Sequence, residues 1–243
     1  MILDAQGFSF RAPELLSRAR RILIKPSAGY PMPYPVTTSA DILTTVISGI
    51  RQISEADIVL LDGTADGSPI YPIYQALAYN FPRVLTLDVR DSIWVEVENP
   101  LPKPLAVPTF WVPNVILSSD YLINITPLKV INRRGYFNIM NLLPLLPSAK
   151  YDGETPGGWG ALYSLGIDKV ITDLYFTLPF DLGIIDGRQL FTSTGDPVKG
   201  NAEPYGKIFI GDPYEVDQEA STALGLDNEY LKLIKEAKVE LGT

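Results

Sequence analysis

The chain has 243 residues, a formal net charge of −8, and neither cysteine nor histidine. The two zeros exclude disulfides, thiolate nucleophiles, Cys-held zinc or iron–sulfur sites, imidazole general bases and His-ligated metals. The acidic balance argues against a nucleic-acid partner, which calls for a basic footprint; the 46% hydrophobic and 20% charged composition is that of a folded globular chain.

The opening MILDAQGFSFRAPELLSRAR lacks the charged-then-apolar order of a signal peptide. Its apolar runs are broken by Pro, Asn or Asp before the ~18 residues of a membrane span, so no membrane partner and a cytoplasmic location are expected. Arg21 to Lys25, closed by Pro26, reads as a buried strand. A loop rich in Pro, Gly and Tyr follows, SAGYPMPYP. Thr38-Ser39-Ala40-Asp41 resembles a capping box, and Ile42, Leu43, Val46, Ile47 and Ile50 then recur at helical spacing. The expected helix runs from about Ser39 to Ser54. Asp57 to Leu61 is a second strand, Ile70 to Tyr79 a short helix and Arg83 to Val89 a third strand.

The middle is less regular. Asn99 to Asn114 carries several prolines and is expected along an edge or surface. Tyr121 to Ile125 is another strand, Asn138 to Leu146 an apolar segment broken by Pro144, and 151–160 a flexible loop. Tyr163 to Thr177 has helical spacing. Leu182 to Ile185 and Lys207 to Ile210 are short late strands. Helices over about Pro213–Leu224 and Asn228–Leu241 close the chain. No repeat and no linker divides it. The expected fold is one continuous α/β domain, a mostly parallel or mixed sheet flanked by helices.

Familiar motifs are missing. There is no P-loop, and the glycine cluster GGWG follows no strand. DGTADG at 62–67 has the first residues of a calcium loop but Ile73 at its twelfth position in place of Glu, which rejects an EF-hand. Asn124-Ile125-Thr126 matches a glycosylation acceptor by chance, inside an expected strand. What remains are charged residues at strand ends, where open α/β sheets bind ligands. Lys25 closes the first expected strand and suits an anion. Asp62-Gly63 closes the second, and Asp186-Gly187 follows a late one. Lys129, Arg133 and Arg134 gather three cations able to receive a carboxylate or phosphate. Asp212 and Asp217 flank a helix start, where Asp212 suits an N-cap.

Several of these positions fall in segments that resemble domain-of-unknown-function family 362. ILIKPSAG resembles the family's opening motif, with Ser27 where the family has Asn. YLINITPLK resembles its apolar–Asn–apolar–Pro–x–Lys strand, with Lys129 at the family's lysine. FNIMNLLPLLP resembles its Lys-Asn and Gly-Leu-Leu-Pro segment, with Asn138 at the Asn. LGIIDGRQLFTSTGDPVKG and GKIFIGDPYEVDQEASTALG resemble its two closing motifs. The matches keep the family's order from about residue 21 to 235. Three departures stand out. Ile131 lies near the place of a family His, Phe137 replaces a Lys, and Asn141 replaces a Gly. Many relatives carry a ferredoxin-like cluster domain; this cysteine-free chain holds no such cluster.

Two functions are expected from these readings. One is an enzyme or former enzyme acting on a small anionic molecule, using Lys25, Asp62, Lys129, Asn138, Asp186 and Asp217. Lysines would hold the anion. The aspartates would serve as acid and base or hold Mg²⁺ or another oxygen-liganded divalent cation, the metal chemistry this composition leaves open. The alternative is a non-catalytic ligand-binding or accessory protein on the same scaffold.

Overall fold

The computed structural model describes residues 1–153, 158–178 and 180–242. In chain order the strands and helices are β1 (Ile2–Asp4), β2 (Arg21–Pro26), α1 (Ala40–Arg51), β3 (Asp57–Asp62), α2 (Tyr71–Ala76), β4 (Val84–Asp88), β5 (Trp94–Glu98), β6 (Thr109–Pro113), α3 (Asn114–Leu117), β7 (Tyr121–Ile131), β8 (Arg134–Gly135), α4 (Gly160–Ser164), α5 (Ile167–Thr177), β9 (Leu182–Ser193), β10 (Asn201–Gly211), α6 (Pro213–Ala223) and α7 (Glu229–Leu241). Eight strands form one mixed sheet in the order β1-β10-β9-β7-β2-β3-β4, with β8 paired to β7. The run from β9 through β7, β2 and β3 to β4 is parallel, whereas β10 pairs antiparallel with both β9 and β1.

Alternation along β2 and β7 sets the layers. Ile22, Ile24, Ile123 and Ile125 face one core, which α1 and α2 cover. Leu23 and Leu122 face the other, closed by Phe110, Val112, the 3-10 turn Met140–Leu145, α5 and α7. A third, smaller cluster around Leu128, Ile185 and Phe209 lies under Val216 and Ala220 of α6. Helices thus cover both faces, as a largely parallel sheet requires. Each large apolar side chain so buried contributes about 1.5–3 kcal/mol.

The strand order decides where a ligand can sit. From β2 the chain steps outward to β3 and β4, then returns to β7 on the other side of β2. That reversal opens a crevice at the carboxyl ends of β2 and β7, the topological switch point of open α/β sheets.

Several elements differ from the sequence expectation for identifiable reasons. Ser39, not Thr38, caps α1 by accepting from Ile42 N at 3.1 Å. Thr38 Oγ1 instead donates to Ile125 O at 2.7 Å. The segment around 99–114 is no mere surface crossing. Its β6 pairs with β5 in a second sheet, and Phe110 and Val112 are fully buried. β7 continues past Ile125 through Pro127 to Ile131, because β9 shifts register beside the proline that cannot donate. The expected helix over 163–177 is two, broken at Gly166 (φ +90°). The short late strands form a hairpin of 12- and 11-residue strands. Residues 154–157 of the expected loop lie outside the described residues. No helix is long and apolar enough to cross a membrane among the described residues.

Gly49 is where α1 meets the segment before β2: a Cβ there would lie 2.3 Å from the Phe10 carbonyl oxygen. Gly49→Ala is expected to lower stability by about 1–3 kcal/mol in urea unfolding, despite alanine's better helix propensity.

Candidate functional site

Lys25 and Asn124 are cross-strand partners on β2 and β7. They share the face of Leu23 and Leu122, yet are polar and wholly buried. Burial of a charge is tolerated only with a partner, and Asp62 at the end of β3 supplies it. Lys25 Nζ lies 2.7 Å from Asp62 Oδ1. It also donates to Pro26 O at 2.6 Å and to Asn141 Oδ1 at 3.2 Å. Asp62 accepts from Gly63 N at 2.8 Å and Ala28 N at 2.7 Å. Burial pulls Lys25 below the ordinary lysine range and pushes Asp62 above the ordinary carboxylate range, while their mutual attraction opposes both shifts.

Amides extend the network. Asn141 Nδ2 donates to Asn124 Oδ1 at 2.7 Å and to Pro26 O at 3.2 Å. Asn124 Nδ2 donates to Asn138 O at 2.6 Å. Gly63 lets the 3-10 turn approach, since a Cβ there would lie 2.7 Å from Pro144 O.

Above this floor is a cavity of about 130 Å³, walled in part by Ser27, Asp62, Asn141, Lys129, Tyr30 and Trp159. Lys129 is 6% exposed. Its ammonium donates to Val36 O at 3.1 Å and lies 5.7 Å from the Tyr30 ring centre. No carboxylate pairs with it among the described residues, and burial lowers it to about 8. The Pro/Tyr-rich loop is one wall of the cavity. Thr38 N donates to Ser27 O at 2.9 Å, closing the loop's neck.

The other expected site residues lie elsewhere. Asn138 joins the network through its backbone carbonyl. Asp186 is gripped by Arg188, Nη2 to Oδ2 at 2.6 Å and Nε to Oδ1 at 2.9 Å, with Tyr34 OH at 3.2 Å. Burial pushes the Tyr34 phenol up. Asp217 accepts from Asn138 N and Ile139 N at 2.9 Å and from Tyr230 OH at 3.0 Å. Burial pushes Asp217 up to about 7 against those donors. Arg133 is exposed in the β7–β8 turn and Arg134 pairs with Asp168, so Lys129 alone of the three cations faces the cavity. Among the described residues no three His, Cys, Asp or Glu side chains gather as a metal ligand set. Asp62, Asp186 and Asp217 therefore do not form the joint oxygen site expected of them, because each is committed to its own donors.

A family model for DUF362, a domain of unknown function, matches residues 22–222. The chain belongs to the DUF362 family. In fold it is similar to the lactate racemase apoprotein from Thermoanaerobacterium thermosaccharolyticum, with a TM-score of 0.53 and 13% identity. That match covers 90% of this chain and 53% of the other, so the chain spans about half the length of that protein. No curated protein matches it. Ile131 and Asn141, two positions expected from sequence to depart from the family's motifs, stand on the cavity wall. Phe137 is buried in the third cluster instead.

The site residues missed from sequence are Asn124, Tyr30, Tyr136, Trp159 and Tyr163, and away from the cavity Arg188, the partner of Asp186. Asn124 had a signal, a lone amide inside an apolar strand. The aromatics had none, since they come from segments distant in sequence.

Removing either partner of the buried ion pair should be severe. Lys25→Met or Asp62→Asn is expected to lose about 3–5 kcal/mol in urea unfolding, and the double variant less than the sum. For Asp217 the folded-state value lies above the unfolded one. Its protonation stabilises the fold fully below about pH 4, and that contribution is lost as pH rises through about 7. Unfolding across pH 4–8 should show this decline in the wild type and not in Asp217→Asn.

Proposed function

We propose that the cavity binds a small anion, a carboxylate in the first instance, through the Lys129 ammonium. The observation that carries the proposal is that ammonium's isolation. It is buried, uses one hydrogen bond, and has no carboxylate partner among the described residues. Leaving a charge buried and unpaired is unfavourable, and proteins keep such groups where a ligand completes them. The Lys25–Asp62 pair beneath is neutral as a whole, so it does not offset Lys129. The likeness to lactate racemase is one of fold, and the ligand class rests on the cavity's chemistry.

Any proton transfer here falls to Lys129, whose ammonium is lowered by burial to about 8. Asp62 has its oxygens engaged by Lys25 and two backbone N–H groups. The saturation of Asp62 and the apolar Ile131 on the wall favour the second reading, binding without catalysis. Anion binding is common to both readings.

Lys129→Met tests the shared step. Acetate, propionate and benzoate should raise the melting temperature of the wild type and leave that of the variant unmoved. The unliganded variant should melt at the same temperature or higher, since it sheds an unpaired charge. Affinity should be level up to about pH 8 and then fall about tenfold per pH unit as the ammonium deprotonates. Stabilisation that persists in Lys129→Met would refute the proposal.

A further inference from the structure

We infer that the anion this cavity takes is a monocyclic aromatic carboxylate, an inference that rests on the reading of Lys129 as its anchor. Charge, volume and wall chemistry argue for it together.

Among the described residues the charge available to a ligand is one. Lys25 is cancelled by Asp62, Arg134 is committed to Asp168 and Arg188 to Asp186, which leaves the Lys129 ammonium. A single ammonium matches a monocarboxylate. A phosphate, carrying up to two charges and wanting a fork of donors, is better served by arginine.

The volume is about 130 Å³. An apolar protein cavity of about 150 Å³ admits one benzene, so this space matches a single six-membered ring in size.

The wall is aromatic where a ring would lie. Tyr30, Tyr136, Trp159 and Tyr163 line it, with Met140 and Leu143. Trp159 is held in place, its Nε1 donating to Leu146 O at 3.0 Å. Burial pushes the Tyr30 and Tyr163 phenols up, so both stay neutral and do not repel an anion. The Tyr30 ring stands beside the Lys129 ammonium. A carboxylate on that ammonium therefore projects its substituent among rings, where edge-to-face and offset contacts favour a flat π-system over a puckered ring.

Calorimetric titration of the whole chain decides it, with benzoate, cyclohexanecarboxylate, acetate, benzyl alcohol and inorganic phosphate as probes. Benzoate should bind about 2- to 12-fold more tightly than cyclohexanecarboxylate and on the order of a hundredfold more tightly than acetate. Phosphate should be weaker than benzoate, and benzyl alcohol, lacking the charge, weaker as well. Lys129→Met should lose benzoate. Tyr163→Leu should weaken benzoate severalfold and acetate by a smaller factor; Tyr163 is half exposed, so the fold tolerates the change. If cyclohexanecarboxylate, acetate or phosphate binds as tightly as benzoate and depends on Lys129, the aromatic inference fails while the anion reading stands. If no anion binds in a Lys129-dependent way, or benzyl alcohol matches benzoate in both wild type and Lys129→Met, the anion reading fails and takes this inference with it.

Discussion

At the carboxyl ends of two neighbouring parallel strands, a lysine and an aspartate meet 2.7 Å apart with almost no water contact. Such a pair pays heavily in desolvation, and attraction alone does not repay it unless further hydrogen bonds complete both groups. Here they do. Lys25 reaches its own strand's Pro26 carbonyl and the Asn141 amide. Asp62 takes the N–H of Ala28 at the start of the Pro/Tyr-rich loop and that of Gly63. The pair thereby ties strand, loop and 3-10 turn to one point. It also gives the cavity a floor that is polar and rigid yet neutral overall. The solitary charge of Lys129 keeps its force because the charge beneath it is already cancelled.

The same economy runs through the other buried aspartates. Asp173 accepts from three successive N–H groups, Leu105, Ala106 and Val107, at 2.7–2.9 Å. Asp88 accepts from Ile70 N and Arg90 N. Asp217 does the same for Asn138 and Ile139. Irregular segments packed into a core leave backbone donors that no strand or helix satisfies, and a short carboxylate reaches them well. Carboxylates that look like acid–base candidates along the sequence are in large part the stitching of loops. For that reason they lie apart, each beside the loop it serves.

The reversal of strand order on either side of β2 places the cavity at the switch point. Ile131 makes one wall apolar, and Asn141 puts an amide between Lys25 and Asn124. Rings from three separate segments line the cavity's remaining walls.

The sequence by itself determined the layers and the sheet's parallel centre. Short apolar runs ended by Lys-Pro or Asp-Gly, alternating with helical spacing, leave few other arrangements. It also pointed to Lys25 and Asp62, since a charge closing an apolar strand stands out against its neighbours, and to Lys129 through the cluster it forms with Arg133 and Arg134. The segments at 94–113 and beyond Ile125 were less legible, because prolines there disguise strands that pairing partners hold in place. Only the tertiary structure decided which charges meet. Lys25 finds Asp62 through strand adjacency, Asp186 finds Arg188 two residues on, and Lys129 finds no carboxylate among the described residues. Pairing depends on which side chains converge in three dimensions, and spacing along a chain does not carry that information between distant segments. The aromatic wall is the plainest case. Tyr30, Tyr136 and the Trp159–Tyr163 pair come from three separate segments, and they become one surface only when the loop, the turn and the helix fold over the same strand ends.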